Sequence, residues 1–321
     1  MELEYEKGLV SVIVATYKNL DGIFVTLDGI FKQKYNKIEI IISDDGTPNA
    51  DSKWDEIKKY IEQNKGENIV NYIINAIPVN GGTVKNINSA IKLAKGEYIT
   101  AISAEDSFTD ENVLSCYNEF LENSKYLLCF GKMRGVTESG EYKYKLLACE
   151  DNYDMLRRLS ASQMHNLLFK RNCLPAPAVM YKHELFDIYG LHSESTRIIE
   201  DYPFWLYLSR KNVSFGYIDK ITIDYKMSGV SSAGSYSKMF MDDMYAIYEE
   251  EIFPYDHRFG ILQPIYNGLK RYGLKFYMDK ADWGRYSFLQ KLCKYIIYCP
   301  LFVYTSLLDW NVKRKNAKLD N

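Results

Sequence analysis

The chain has 321 residues, enough for one large domain or for a domain with an appendage. Its 40 Lys and Arg residues nearly balance its 42 Asp and Glu residues, so a net charge of -2 gives no electrostatic case for nucleic acid as a partner. Six scattered cysteines form no C-x-x-C pair and have no histidines clustered with them. This argues against a zinc site or a disulfide framework and suits a reducing cytoplasm. The N-terminal stretch MELEYEKG is acidic and has no apolar core, so a secretory signal is not expected there.

The first part of the chain alternates strand and helix patterns. Apolar, mostly β-branched runs predict buried strands at residues 9–15, 38–43 and 98–102 and a further strand at 69–74. Apolar side chains at helical spacing predict a helix after each of the first three strands. We expect Thr83 to cap the third helix and Gly96 to end it. The order β-α-β-α-β-α-β with short connections predicts a parallel sheet with helices on both faces.

Polar pairs follow three of these strands: Thr16 and Tyr17, Asp44 and Asp45, and Glu105 and Asp106. Parallel strands place these ends along one edge, where open α/β sheets bind ligands, although each pair alone would fit ordinary turn chemistry. Adjacent carboxylates repel unless a cation or hydrogen bonds offset them, and Mg²⁺ typically uses one or two carboxylates with phosphate oxygens. The stretch SAEDS is therefore either a metal site facing a substrate diphosphate or a solvated acidic loop.

Two common nucleotide-binding motifs are missing from the sequence. No G-x-G-x-x-G follows the first strand, and no G-x-x-x-x-G-K-[ST] occurs anywhere, which disfavours a dinucleotide oxidoreductase and a P-loop enzyme. Gly81 and Gly82 precede the third helix, where they either let the backbone approach an anionic ligand or form a simple loop.

Several stretches together resemble glycosyltransferase family 2, the inverting, nucleotide-sugar-dependent enzymes with the GT-A fold. They read SVIVATYKN, QKYNKIEIIISDDGT, NGGTVKNINSAIKLAKGEYI, SAEDS, PAPAVMYKHELFDIYGLHSE and IIEDYPFWLYLSRKN. The resemblance implies a Rossmann-like α/β domain at residues 1–232, with a mostly parallel sheet flanked by helices. Its nucleotide half would span about 8–106 and its acceptor half about 107–232. A helical C-terminal extension is expected at 233–321.

The resemblance also implies roles at the strand ends. Thr16 and Tyr17 would hold the nucleobase, Tyr17 through its ring. Asp44 would accept a hydrogen bond from that base, which is usually uracil in this family. Asp45 would reach the ribose or order the turn, and Lys85 would meet the diphosphate.

The acidic motif carries the implied metal. Glu105 and Asp106 match the end of the family's metal-binding motif, so the expected cofactor is Mg²⁺ or Mn²⁺. Ser103 stands where the family usually has an acid, so metal binding must depend on the two carboxylates that follow.

The second half supplies the expected catalytic and acceptor residues. Asp201 is the expected general base, and Glu200 would orient it or bind acceptor; the alternative for the pair is a helix N-terminus that favours acidic residues. Trp205 is an acceptor candidate. Lys226 and Ser231 would belong to a loop that closes over the diphosphate.

Two further segments lie beside these residues. The run at 174–180 resembles the wall between donor and acceptor. His165, a lone histidine near apolar residues, is expected to be structural.

The C-terminal part predicts helices at 239–252 and 264–277. The long apolar and aromatic segment at 285–310 contains Lys291, Lys294 and Pro300, which argue against a clean transmembrane span. An interfacial helix with a basic tail on anionic lipid fits better. A helix covering the catalytic domain and a homodimer contact are the alternatives.

The leading hypothesis is an inverting, metal-assisted glycosyltransferase of the hexosyltransferase type. It would move a sugar from a UDP-sugar to a glycan or lipid-linked acceptor in surface polysaccharide synthesis. Its expected location is the cytoplasm, at the inner face of the cell membrane. A sugar nucleotidyltransferase would normally carry a Gly-rich, basic loop after the first strand, which ATYKNLDG lacks. A non-catalytic nucleotide-sugar-binding or scaffold protein of the same fold is the other alternative, supported by Ser103.

Overall fold

The structure is a computed structural model that describes residues 5–137, 142–147, 156–227, 237–281 and residue 287. The contacts between residues divide the chain into two compact units, Met1–Ser232 and Ala233–Asn321.

The described strands of the first unit form one nine-stranded sheet. The strands are β1 (Glu6–Thr16), β2 (Ile38–Asp44), β3 (Ile69–Ala76), β4 (Gly96–Ser103), β5 (Ser107–Phe108), β6 (Leu128–Val136), β7 (Tyr142–Leu147), β8 (Val179–Lys182) and β9 (Gly216–Lys226). Their order is β3-β2-β1-β4-β8-β6-β9-β5, and β7 pairs with β6. The predicted parallel arrangement is confirmed for β1 to β4. In the other half β8 runs antiparallel to β4 and β6, while β6 and β9 are parallel, so the sheet as a whole is mixed.

Helices lie between these strands, and each predicted helix of the first unit is confirmed. The described helices of this unit are α1 (Gly22–Phe31), α2 (Asp51–Asn64), α3 (Thr83–Ile91), α4 (Val113–Glu122), α5 (Ala161–Leu168), α6 (Glu184–Tyr189) and α7 (Asp201–Arg210). A short 3-10 turn, Ala176–Ala178, leads into β8.

Two predicted details of α3 were wrong. Gly82, with a φ of 95°, occupies the cap position, and Thr83 is the first helical residue. The helix ends at Ile91, whereas Gly96 opens β4. A Cβ at Gly96 would lie 2.7 Å from the main chain of Leu9 and Ser11, so glycine is required there by the close approach of β1.

The sheet is buried on both faces near its centre. On one face Val10, Val12 and Val14 of β1 pack with apolar side chains of α1, α2 and α4. On the other, Ile13 and the α3 residues Val84 and Ile87 are buried. Packing on both faces explains why the first strands read as continuous apolar runs rather than as alternating ones.

The strand order reverses at β1. From β1 the chain steps outward through β2 to β3, and then returns to place β4 on the opposite side of β1. In open α/β sheets such a switch point leaves a crevice at the carboxyl ends of the two strands, where ligands bind. A ligand site is therefore expected at the carboxyl ends of β1 and β4.

The second unit contains α8 (Lys238–Ile247), which continues through a π turn at Tyr248–Ile252, and α9 (Gln263–Ala281). The helices predicted at 239–252 and 264–277 are confirmed. Within this unit, Nη2 of Arg271 donates to Oε2 of Glu249 at 2.8 Å. Across the residues that the structure describes, no helix is both long enough and apolar enough to span a membrane. The segment at 285–310 lies outside the described residues apart from residue 287.

Candidate active site

The strand ends predicted to meet at one edge do so. Thr16 at the end of β1 is paired in register with Asp44 at the end of β2. On the other side of β1, Ala15 is paired with Ser103 at the end of β4. The polar turns that follow these strands therefore share the carboxyl edge of the sheet.

Asp44 organises the turn that follows it. Its side chain is buried, and Oδ2 accepts a hydrogen bond from the Thr47 main chain at 2.8 Å. Oγ1 of Thr47 accepts the Lys18 N–H at 2.7 Å, which joins the turn after β2 to the turn after β1. Beside this junction the Tyr17 ring is 42% exposed, with the Lys18 ammonium 5.0 Å from its centre. Thr16 is buried, and its hydroxyl donates to the Asn19 carbonyl.

Asp45 fixes the loop that precedes α3. One carboxylate oxygen accepts from the Gly81 main chain at 2.7 Å, and the other accepts from the Gly82 main chain at 2.8 Å. The Asn80 side-chain amide donates to the same carboxylate at 2.7 Å. With three donors on a buried carboxylate, Asp45 holds the Asn80–Gly82 loop in place.

Two cations lie beside this loop. Lys85 is exposed on the first turns of α3, and its stem passes close to Gly81. Arg197 comes from the segment before α7, and its guanidinium donates to Oδ1 of Asn80 at 2.8 Å. Nothing in the local sequence around Arg197 indicated this contact, because the two residues are 117 positions apart.

Asp106 is buried, and its two carboxylate oxygens differ in their hydrogen bonding. Its Oδ1 accepts the main-chain N–H of Lys226 at 2.7 Å. Its Oδ2 is buried and meets no hydrogen-bond donor among the described residues. Burial, and to a smaller extent the neighbouring Glu105 carboxylate, raise the pKa of Asp106 to about 7, against the opposing effect of the Lys226 N–H. A carboxylate in this position would be favoured by a bound cation.

Glu105 precedes Asp106 in a left-handed conformation, with a φ of 81°. Such a conformation is uncommon for a residue with a side chain and is found often at functional turns. Its side chain passes over the start of α1, where a Cβ on Gly22 would lie 2.4 Å from the Glu105 Cγ. Ser103, the departure from the family pattern, is exposed at the end of β4.

These residues fit a cation held by few protein ligands. In the described ranges no three His, Cys, Asp or Glu side chains form a metal-binding cluster. The partnerless Oδ2 of Asp106 is the oxygen that such a cation would bind. A Mg²⁺ or Mn²⁺ site of this kind needs the remaining ligands from phosphate oxygens and water.

Asp201 is the first residue of α7, and its carboxylate is partly buried. Oδ2 accepts a hydrogen bond from the Asn172 side-chain amide at 2.7 Å. Burial raises the pKa of Asp201, although the Asn172 amide and the Tyr202 main chain oppose this effect. A carboxylate with a raised pKa binds a proton more readily near neutral pH, as a general base must.

The remaining acceptor and loop candidates differ in burial and in their contacts. Trp205 is fully buried and packs against Tyr181 and Phe215, so its ring has no exposed face for an acceptor, and that prediction was wrong. Lys226 reaches Asp106 through its main chain, and its ammonium donates to the Thr137 carbonyl at 3.3 Å. Ser231 lies outside the described residues.

His165 has the structural surroundings expected for it. Its Nδ1 lies 2.8 Å from the Ser209 hydroxyl, and its ring packs against Phe169. The contact with Ser209 joins α5 to α7.

A pocket opens at the switch point between β1 and β4. It encloses about 590 Å³, its open mouth included. Ser103 at the end of β4 and Thr83 at the start of α3 line it, together with Pro177 of the 3-10 turn in the predicted wall. Glu200 and Asp201 line the same pocket. The structure thus brings the carboxyl edge of the sheet and the second acidic pair to one space, although they are about a hundred residues apart in sequence.

The sequence is similar to that of known sugar-transferring proteins. The model for the family described as Glycosyl transferase family 2 matches residues 11–190. Over 149 residues the chain is 32% identical to a poly(ribitol-phosphate) beta-glucosyltransferase of Bacillus spizizenii, a match that covers 46% of this chain and 22% of that protein. Over 122 residues it is 33% identical to the UDP-Glc:alpha-D-GlcNAc-diphosphoundecaprenol beta-1,3-glucosyltransferase WfaP of Escherichia coli. This match covers 38% of this chain and 45% of WfaP. Each match therefore spans less than half of the relative.

Solved structures with a similar fold extend the comparison. S. aureus TarS 1-349 in complex with UDP-GlcNAc aligns with a TM-score of 0.57 at 18% identity, over 92% of this chain and 81% of that one. The mannosyltransferase PcManGT from Pyrobaculum calidifontis in complex with GDP-Man and Mn²⁺ aligns with a TM-score of 0.56 at 15% identity. That alignment covers 96% of this chain and 87% of the other. At these identities the likeness shows the fold, which is the GT-A fold that the sequence motifs implied.

The family match begins within β1 and includes β2 to β4, the turns with the strand-end carboxylates, and the chain as far as the end of α6. Because it covers more than half of the 321 residues, this chain belongs to glycosyl transferase family 2.

Proposed function

We propose that this chain transfers a sugar from a nucleotide sugar to a hydroxyl group of a glycan or lipid-linked acceptor in surface polysaccharide synthesis. UDP is the expected nucleotide. The proposal rests on one observation: Ser103 at the end of β4 and Asp201 at the start of α7 line the same pocket. A donor at the carboxyl edge of the sheet would therefore lie next to a proton acceptor.

The names of the relatives support the substrate classes. One relative is a UDP-Glc glucosyltransferase whose named acceptor is a diphosphoundecaprenol-linked sugar, and another is a poly(ribitol-phosphate) glucosyltransferase. The structural neighbour TarS was solved with UDP-GlcNAc. Another neighbour was solved with GDP-Man, so the choice of uracil is open to direct measurement.

The donor would bind along the strand ends. The exposed Tyr17 ring would stack on the base, with Thr16 beneath it. Asp44 accepts hydrogen bonds from Thr47, but a carboxylate has about four acceptor positions and can still accept from a base N–H. Lys85 is exposed next to the Asn80–Gly82 loop, where its ammonium would meet the diphosphate. Asp45 would act through that loop by keeping its N–H groups in place.

Asp201 would act as the general base. The acceptor hydroxyl gives its proton to the Asp201 carboxylate as its oxygen forms a bond to the anomeric carbon. The bond between that carbon and the diphosphate breaks, and its electron pair leaves with the nucleoside diphosphate. A base on one face and a leaving group on the other give inversion in a single displacement, and the base contributes about 10²–10⁴-fold in rate. Glu200 would orient Asp201 or bind the acceptor.

A divalent cation would complete the leaving-group side. Asp106, with Glu105 beside it, would hold Mg²⁺ or Mn²⁺, and when bound the cation would stabilise the charge of the departing diphosphate as a Lewis acid. Asp106 has the partnerless oxygen that this role needs.

The C-terminal extension would bring the enzyme to its acceptor. We propose that it contacts the cytoplasmic face of the membrane, where a lipid-linked acceptor would lie. A homodimer contact is the alternative for the same segment.

The test is a panel of nucleotide sugars with acceptors that include aryl glycosides and a lipid-diphosphate-linked sugar, measured with Mn²⁺, with Mg²⁺ and with EDTA. Asp201→Asn should lower kcat by about 10²–10⁴-fold without weakening donor binding. Asp51→Asn is the matched control, because Asp51 is likewise the first residue of a helix, α2, and is exposed. It should keep full activity.

Three other results would contradict parts of the proposal. An equal loss of activity in both variants would show that Asp201 serves only the helix N-terminus. Binding of UDP by calorimetry without turnover of any donor would favour the non-catalytic, nucleotide-sugar-binding alternative. Full activity in EDTA would contradict the metal-assisted mechanism.

A further inference from the structure

Asp201, the proposed base, directly follows an irregular segment, residues 190–200. Residues 190–200 connect α6 to α7 without forming a helix or strand of their own. A carboxylate must be held close to its productive position to act as a base, and a shift of about 1 Å can cost 10²-fold in rate. Groups outside this segment must therefore fix it.

Asn88 on α3 binds the main chain of this segment at both of its polar groups. Its side-chain amide donates to the His192 carbonyl at 2.8 Å, and its Oδ1 accepts the His192 N–H at 3.1 Å. Asn88 is 2% exposed and His192 is 5% exposed, so water does not compete for these hydrogen bonds. The reciprocal pair holds the start of the segment at a fixed distance from α3.

The His192 side chain continues the connection toward the base. Its Nδ1 lies 3.1 Å from the main-chain oxygen of Glu200, the residue immediately before Asp201. A carbonyl oxygen only accepts, so Nδ1 must carry the proton. Burial lowers the pKa of His192 to about 4, which keeps the ring neutral at neutral pH and leaves Nδ1–H as its one donor. The ring packs against Phe186 and Phe204, with centroids 5.9 and 4.6 Å away.

We propose that Asn88 and His192 are positioning residues that set the place of Asp201 through the Glu200 main chain. The connection runs from α3 to His192, from its ring to the Glu200 carbonyl, and from there to the first residue of α7. The proposal rests on the proposed function, because its kinetic effect is expected through the Asp201 carboxylate.

The same helix provides a matched control. Asn86 is also buried, and it also forms a reciprocal pair. Its amide donates to the Ser43 carbonyl at 2.9 Å, and its Oδ1 accepts the Ser43 hydroxyl at 2.6 Å. This pair joins α3 to β2 rather than to the segment before Asp201. Asn88→Ala and Asn86→Ala therefore remove equivalent side chains from one helix. The first loses hydrogen bonds to the segment before Asp201, and the second loses hydrogen bonds to β2.

The first measurement needs no substrate. Amide hydrogen exchange in the peptides covering residues 193–200 should be at least about tenfold faster in His192→Phe and Asn88→Ala than in the wild type. His192→Asn should retain the protection, because its amide can donate from nearly the same place as Nδ1. Asn86→Ala should leave these peptides unchanged. Unchanged exchange in both His192→Phe and Asn88→Ala would overturn the proposal whether or not the chain is an active transferase.

The second measurement is kinetic and uses the donor and acceptor found with the panel described above. His192→Phe should lower kcat by about 10- to 100-fold with the donor KM unchanged, and His192→Asn should restore most of kcat. In an Asp201→Asn background, His192→Phe should cause no additional loss, because both changes remove one function. A further loss of equal size in that background would show that His192 acts independently of Asp201 and would overturn the proposal. A wild type without transferase activity would refute the proposed function instead, and the exchange measurement would then decide the positioning role alone.

Discussion

Replacing Asp106 by asparagine should change how the stability of the protein depends on pH. Burial raises the pKa of this carboxyl from its ordinary value of 3.8 to about 7. Between about pH 4 and 7 the folded protein therefore keeps a proton at Asp106 that the unfolded chain has released, and the free energy of unfolding falls as pH rises. Above about pH 7 the folded protein has also lost this proton, and the contribution becomes constant.

The size of the effect follows from the shift. Each unit of pKa difference corresponds to about 1.4 kcal/mol, so a shift of about three units should cost the wild type about 4 kcal/mol between the two ends of the range. Asp106→Asn cannot ionise, and its Oδ1 can still accept the Lys226 N–H. The stability difference between variant and wild type should therefore grow in favour of the variant by about 1.4 kcal/mol per pH unit and then level off.

The assay is urea-induced unfolding at closely spaced pH values from about 5 to 8.5, in EDTA so that no divalent cation favours the carboxylate. Asp110→Asn is the control. Although burial acts in the opposite direction, bonds from the Asn112 main chain and Lys220 lower the pKa of Asp110 overall, so folded and unfolded states both ionise it throughout this range. Its stability difference should not vary with pH. An equally constant difference for Asp106→Asn would refute the conclusion that burial raises the pKa of this carboxyl.

Three further changes test the construction of the site. Gly82→Ala would place a Cβ 2.4 Å from the Arg197 main-chain oxygen, so it should cost at least about 2 kcal/mol more in urea unfolding than Gly190→Ala. Gly190 also has a positive φ but faces open space, and equal costs would show that only backbone strain matters. Asp45→Asn should cost about 3 kcal/mol, because two main-chain N–H groups and one amide lose a charged acceptor. A loss below about 1 kcal/mol would mean that water replaces that acceptor. Tyr117→Phe should cost about 1–2 kcal/mol, because the buried hydroxyl donates to the Ala178 carbonyl at 2.7 Å; an unchanged unfolding midpoint would contradict this.

Strand positions were easiest to predict where a strand is buried along its whole length. The strands β1, β2 and β4 are largely buried and end in polar turns, so their positions and shared edge could be predicted to within a few residues. The same burial pattern with short connections required a parallel arrangement. The strands β5 to β9 were not predicted, because two- to eleven-residue strands in mixed directions leave no single pattern in the chain.

The functional details that were missed depend on distant pairing. Asn88 and His192 are 104 positions apart, and neither has a neighbour in sequence that indicates the other. Trp205 was a candidate for acceptor binding, yet its side chain is fully buried in the core beneath α7. The sequence identified the acidic pairs by type, whereas their partners, Asn172 for Asp201 and the Lys226 main chain for Asp106, come from elements that only folding brings near.

The contact of Asn80 with both Asp45 and Arg197 has a consequence for attempts to redesign the loop before α3. One amide side chain serves the carboxylate at the end of β2 and the guanidinium of the segment that leads to Asp201. A library that randomises residues 80–82 will therefore also disturb the segment before α7. Positions 80 and 197 are better varied together, since a replacement at one selects which residues the other can tolerate.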